Sequence, residues 1–88
     1  MKEKEMERSL KALANRRRLA ILRFIKNEKE ANVGDIASEI KLSFTATSKH
    51  LSTLTSADIL DREQRSLQMF YRIAPNLPES ARRIISLL

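Results

Sequence analysis

The 88-residue sequence predicts one mainly helical domain carrying a single β-hairpin. Apolar residues recur at three- and four-residue spacing through most of the chain, which is the period of amphipathic helices. That period changes only between Ile59 and Ile73, where a polar tip separates two short arms and the second arm alternates. One glycine and two prolines leave little room for long irregular connections.

Lys2 to Leu13 is a charged helical pattern whose apolar stripe is Met6, Leu10, Leu13 and Ala14. Asn15 suits the N-cap of a second helix, Arg16 to Lys26, because its side chain can accept from an early helical N–H. Leu19, Ile21, Leu22, Phe24 and Ile25 make that helix's apolar face wide, so it belongs at the centre of the core. Arg16, Arg17 and Arg18 fill its first turn, where cations oppose the helix dipole by a few tenths to ~1 kcal/mol each when exposed. Phosphate contact, solvation or pairing with glutamates would each offset this. Asn27 to Ala31 is a polar connection.

Val33 to Leu54 contains a short helix, Asp35 to Ile40, a Lys41-Leu42-Ser43 turn, and another helix from Phe44. Ser43 is the expected N-cap. This is the spacing of a helix-turn-helix, whose second helix enters a DNA major groove. At about 100° per residue, Thr47, Leu51 and Leu54 share one narrow sector and face the core. Thr45, Lys49 and Ser52 fall opposite, flanked by Ser48 and Thr53. No carboxylate occurs between Phe44 and Ala57. Serine and threonine are poor helix formers, so a hydroxyl-rich face has a local cost that contact with phosphates and base edges would explain. A merely solvated helix is the plainer alternative. His50 is the only histidine; it lies at the edge between core and groove and suits a structural or phosphate-contacting role.

Ala57-Asp58 ends that helix. Ile59-Leu60, the charged run Asp61 to Arg65, a Ser66 turn and Leu67 to Ile73 then form the hairpin. Met69, Tyr71 and Ile73 share one face, and Gln68, Phe70 and Arg72 the other. A hairpin directly after such a helix is a wing, and Arg62 and Arg65 near its tip are candidates for minor groove or phosphate. Pro78 suits the first turn of a final helix, with Leu77, Ala81, Ile84, Ile85 and Leu88 as its stripe. That helix either folds back on its own domain or, with Met6, Leu10 and Leu13 of the first helix, forms a dimer surface.

The net charge of +6 and pI near 10.2 favour a polyanionic partner. There is no cysteine, so disulfides and thiolate metal sites are excluded; this fits a reducing cytoplasm. No apolar run approaches a membrane span, and MKEKEMERSL is charged where a signal peptide needs an apolar segment. A cytoplasmic location with no membrane partner is therefore expected. No Gly-rich phosphate loop, cysteine nucleophile, second histidine or acid cluster suggests an enzyme or a cofactor.

Leu13-Ala14-Asn15-Arg16-Arg17-Arg18-Leu19-Ala20-Ile21-Leu22 resembles the opening LADPTRLRIL of ArsR-type (ArsR/SmtB-like) winged-helix regulators. Ile40 to Ser43 with Ser48-Lys49-His50-Leu51 resembles the family's LGLS…SRHL segment, and Phe70 to Ile73 its YYRL. The resemblance covers nearly the whole chain. It implies a single winged helix-turn-helix domain over residues 1–88, joined as a homodimer through its first and last helices. It further implies a roughly palindromic double-stranded operator, and commonly repression relieved by an inducer. Many such regulators sense metal through Cys-Val-Cys, where this chain reads Asn32-Val33-Gly34. Others use Asp and His between the terminal helices, where Asn76 to Leu88 offers only Glu79. The resemblance thus implies the fold without the metal site. Lys41 and Ser66 stand where the family often has glycine, and a left-handed residue other than glycine costs on the order of 1 kcal/mol, so altered turns are expected there. The competing function is a winged helix used for protein interaction or assembly, without specific DNA readout.

Overall fold

The computed structural model describes residues 2–88. In chain order it has α1 (Lys2–Leu13), α2 (Arg16–Glu28), β1 (Ala31–Asn32), α3 (Val33–Ile40), α4 (Phe44–Ser56), β2 (Leu60–Arg65), β3 (Gln68–Ile73) and α5 (Glu79–Ser86). Five helices and a hairpin match the predicted class, and no helix among the described residues is long and apolar enough to cross a membrane.

Side-chain caps fix where the helices begin. Asn15 Oδ1 accepts from the N–H groups of Arg17 and Arg18 at 2.9 and 3.1 Å. Ser43 Oγ accepts from Ala46 N–H at 3.1 Å. Asn32 Oδ1 accepts from Asp35 N–H at 2.8 Å, so α3 starts at Val33, two residues earlier than its apolar pattern suggested. Each cap satisfies a donor that the helix cannot pair internally.

The two helix ends around α4 close alike. Lys41 is left-handed (φ 56°), and Leu42 N–H reaches back to Ala37 O at 3.1 Å. Asp58 is left-handed (φ 62°), and Ile59 N–H reaches Leu54 O at 3.0 Å. Ser66, in the two-residue turn between Arg65 and Gln68, also has φ 56°. The left-handed turns expected to change are therefore kept with lysine and serine in glycine's place. The hydrogen bonds that terminate the helices hold the backbone in this shape despite the Cβ.

Part of the polar connection after α2 becomes β1, which pairs antiparallel with β3 through Ala31↔Tyr71 and Asn32↔Phe70. The sheet order is β1-β3-β2, so the second arm of the hairpin is central. One core joins all layers: Ile21, Leu22 and Ile25 of α2, Ile36 of α3, Leu51 and Leu54 of α4, and Ile59, Leu60 and Tyr71 at the base of the hairpin.

The terminal helices join that core, and this corrects part of the expected dimer surface. Leu13, Ala81 and Ile85 are buried within their own chain at 3, 0 and 5% exposure. α5 folds back beside α1, and Lys26 Nζ donates to Ile85 O at 3.2 Å, tying the end of α2 to α5. Leu77, Ile84 and Leu88 are half-buried against the same core. Only Met6 and Leu10 of the expected set stay largely open, at 50 and 45%. Pro78 is the residue before α5 rather than in its first turn.

Replacing Lys41 by glycine should relieve the left-handed strain. The expected gain is up to about 1 kcal/mol, reduced by glycine's greater freedom when unfolded. Urea unfolding should show a higher midpoint at unchanged slope.

Candidate nucleic-acid interface

α4 is rotated as its period demands. Thr47, Leu51 and Leu54 are fully buried, while Thr45, Lys49, Ser52 and Thr53 are exposed and Ser48 is half-buried. Phe44, Thr45, Ser48, Lys49, Ser52 and Thr53 line one shallow concavity along the outer face. Thr53 Oγ1 donates to Lys49 O at 3.2 Å, so its oxygen faces outward as an acceptor. Ser43 Oγ is occupied as a cap acceptor but keeps its own O–H to donate. Lys49 makes no ion pair among the described residues, so its ammonium is available to an external anion.

His50 is half-buried at the edge of this face. Burial, then the positive fields of Arg18 and Arg17, hold its pKa below the ordinary 6.5. At neutral pH it is an uncharged imidazole, able to donate at one nitrogen and accept at the other. Arg18 at the start of α2 lines a groove with Ser52, Thr53 and Ser56 of α4, a proximity that the linear sequence does not reveal.

The wing corrects one expectation. Arg65 is not free: its guanidinium forms a bidentate pair with Glu30 at 2.6 and 2.8 Å and reaches Glu63 at 3.0 Å. It also sits 4.6 Å over the Phe70 ring. Arg72 shares Glu63 at 3.0 Å. Hydrogen bonding from Arg65 pulls both carboxyl pKa values down and pushes that of Arg65 up. The reason is the pairing of β1 with β3, which brings Glu30, the residue just before β1, to the side of the hairpin. Arg62 makes no ion pair among the described residues and is exposed. Three positions apart in a two-residue period, Arg62 and Arg65 lie on opposite faces of the hairpin and cannot share one role.

Two exposed apolar residues join the candidates. Phe44 opens α4 at 62% exposure, and Leu67 tops the wing at 97%. Both line a groove of 280 Å³ between the start of α4 and the wing, with Val33 and Gly34 also on its lining. Phe44 lies beside the core sector of α4 by angle. Its place in the first turn leaves it largely uncovered.

The imidazole should respond to its neighbours. His50 should titrate below 6.5 in an NMR pH series, and Arg18→Ala should move the midpoint upward. Because the folded pKa is depressed, the unfolded chain binds the proton more readily. The associated stability is complete above about pH 6.5 and falls as pH drops through the folded pKa. His50→Gln should flatten that part of the melting-temperature profile.

A family model described as the bacterial regulatory protein, ArsR family, matches residues 15–62. The transcriptional activator HlyU of Vibrio cholerae is 35% identical over 65 residues, an alignment covering 74% of this chain and 59% of that protein. The chain thus spans about three fifths of that curated relative. The structure of reduced HlyU from Vibrio cholerae superposes with a TM-score of 0.83 at 30% identity, covering 98% of this chain and 86% of that one. A homodimeric winged helix-turn-helix DNA-binding domain of a possible ArsR-family regulator from Mycobacterium bovis gives 0.81 at 32% identity, covering 96% and 74%. The transcriptional repressor PagR of Bacillus anthracis gives 0.79 at 30% identity, covering 96% and 92%. Family match, fold and the disposition of α3 and α4 agree: the chain belongs to the ArsR family of bacterial regulatory proteins and has the winged helix-turn-helix fold of its structural relatives.

Proposed function

We propose that the chain is a homodimeric repressor that reads a pseudo-palindromic double-stranded operator through α4, and that no cysteine-based metal switch controls it. The observation that carries this is the outer face of α4: Thr45, Ser48, Lys49, Ser52 and Thr53, with no carboxylate along the helix. Short hydroxyls allow close approach to phosphates and base edges, and Lys49 supplies the long cation. Ser43 and His50 border this face as hydrogen-bonding partners. Phe44 adds an apolar surface of the kind that contacts a thymine methyl. On the wing, Arg62 is the free cation for backbone or minor groove, while Arg65 holds the wing in place.

Dimerisation rests on the apolar surface that remains after the chain's own core is filled. Met6 and Leu10 on α1 are half exposed, and Ile84 and Leu88 at the other terminus are only partly covered. A homodimeric neighbour from Mycobacterium bovis supports pairing. Relatives regulate in either direction, since one is described as an activator and another as a repressor. Occlusion of a promoter needs nothing beyond DNA binding, which favours repression here. The place of the family's Cys-Val-Cys is Asn32-Val33-Gly34, and Asn32 serves as the cap of α3. With no thiolate to contribute, soft metals have no such site. The reducing cytoplasm remains the expected compartment, and the inducer is left open.

One binding experiment tests both parts. Operator fragments selected from random DNA are titrated by anisotropy with the unsubstituted chain, Lys49→Ala and Leu10→Glu. Lys49→Ala should weaken binding and, if its ammonium neutralises one phosphate, flatten the log–log salt dependence by about 0.9. Leu10→Glu should sediment as a monomer and lose cooperative binding to two half-sites about 34 Å apart. Unchanged affinity for Lys49→Ala would exclude α4 as the main reader. A chain that is monomeric with and without DNA would exclude the dimer.

A further inference from the structure

The outer face of α4 continues into a second groove. Ser52 and Thr53 line the concavity on α4 and also a groove of 590 Å³ between α4, α1 and the start of α2. One wall carries three cations, Arg8, Lys11 and Arg18; the other carries the hydroxyls of Ser52, Thr53 and Ser56. No carboxylate lines it.

The acids that reach two of these cations hold them weakly. Arg8 lies 3.5 Å from Asp58 and Lys11 lies 3.7 Å from Glu7, with all four side chains more than half exposed. Pairs so open to water contribute little and exchange readily for a better anion. Arg18 makes no ion pair among the described residues, and its Nε is buried without a hydrogen-bond partner. Its backbone N–H is already taken by Asn15. A half-buried guanidinium with no carboxylate partner, next to hydroxyls and two loosely held cations, matches phosphate, which accepts several charge-assisted hydrogen bonds at once.

We infer that this groove is a second DNA-binding surface, in which Arg18, Arg8 and Lys11 hold backbone phosphates of the strand that leaves the outer face of α4. The inference rests on the reading of α4 as the DNA-contacting helix. It extends the footprint from the helix-turn-helix onto α1 and assigns a role to the arginine run that opens α2. Hydroxyls shared by the two concavities make the path continuous.

The test uses the full chain and labelled duplexes of selected and scrambled sequence. Arg8→Gln with Lys11→Gln removes two exposed charges. Arg18→Lys keeps charge but loses the planar fork. Arg82→Gln with Arg83→Gln removes two charges on α5, away from the groove, as a control for net charge. The groove variants should weaken binding to both sequences alike, with the log–log salt slope falling by about 0.9 for each phosphate that is no longer neutralised. Melting temperatures should stay near that of the unsubstituted chain, and the α5 control should keep the original slope.

Groove variants that match the α5 control, while Lys49→Ala still weakens binding, would overturn this inference and leave the α4 reading intact. An unsubstituted chain with no salt-dependent duplex binding would overturn both. The Arg18 Nε–H resonance separates DNA from a free anion. It should shift on adding duplex, and a shift produced by inorganic phosphate but not by duplex would make the groove a small-anion site and overturn the assignment.

Discussion

The burial of Thr47, Leu51 and Leu54 is the constraint on which the functional surface depends. Leu51 and Leu54 share one core with Ile21, Leu22 and Ile25 of α2 and Ile36 of α3, and Thr47 is fully buried on the same side of α4. Fully burying a leucine is worth ~1.5–3 kcal/mol. Turning α4 by one residue, about 100°, would draw both leucines out of the core. The core therefore fixes the rotation of α4, and the opposite face is released from any packing duty. That release permits a row of serines and threonines that helix propensity alone would disfavour. The Ser43 cap and the left-handed Lys41 and Asp58 set where the helix starts and where the chain leaves it.

Charge is sorted around that face. The ion pairs among the described residues lie on α1, on the wing and on α5, or join α1 to Asp58 just past α4; none engages a residue within α4. Glu30, Glu63, Arg65 and Arg72 form one cluster that fastens the hairpin to the segment just before β1. Exposed pairs of this kind add little stability singly. Their geometry matters more, because a bidentate clamp and a stacked guanidinium limit how the wing can swing. Lys49 and Arg62 are left outside the network, as are the arginines that open α2.

Features written in local order could be read from the chain. The three buried positions of α4 follow from its period. Asn15 and Ser43 announce themselves as caps, and the alternation of Met69, Tyr71 and Ile73 gives the hairpin. Features that depend on distant partners could not be read this way. β1 is two residues long and has no period of its own. Glu30 and Arg65 are 35 residues apart in sequence, so their clamp appears only when the sheet order is known. An apolar stripe on α5 shows that the helix must be covered but not by what. Ala81 and Ile85 turn inward to their own core, leaving the edges of the stripe for any partner. Lys41 and Ser66 keep turns that glycine would ease, for a quantitative reason. A strain near ~1 kcal/mol is small beside the hydrogen bonds and packing that close a helix or a hairpin there.

Chemical-shift mapping tests most directly whether the orientation of α4 creates the DNA-reading surface. An isotopically labelled chain is titrated with a duplex selected for binding, and backbone amides are followed residue by residue. The largest changes should fall on Thr45, Ser48, Lys49 and Ser52, with smaller ones at Arg62, and the buried amides of Leu51 and Leu54 should move least. Changes centred on the sheet face that carries Glu30, Arg65 and Arg72, with α4 silent, would contradict it.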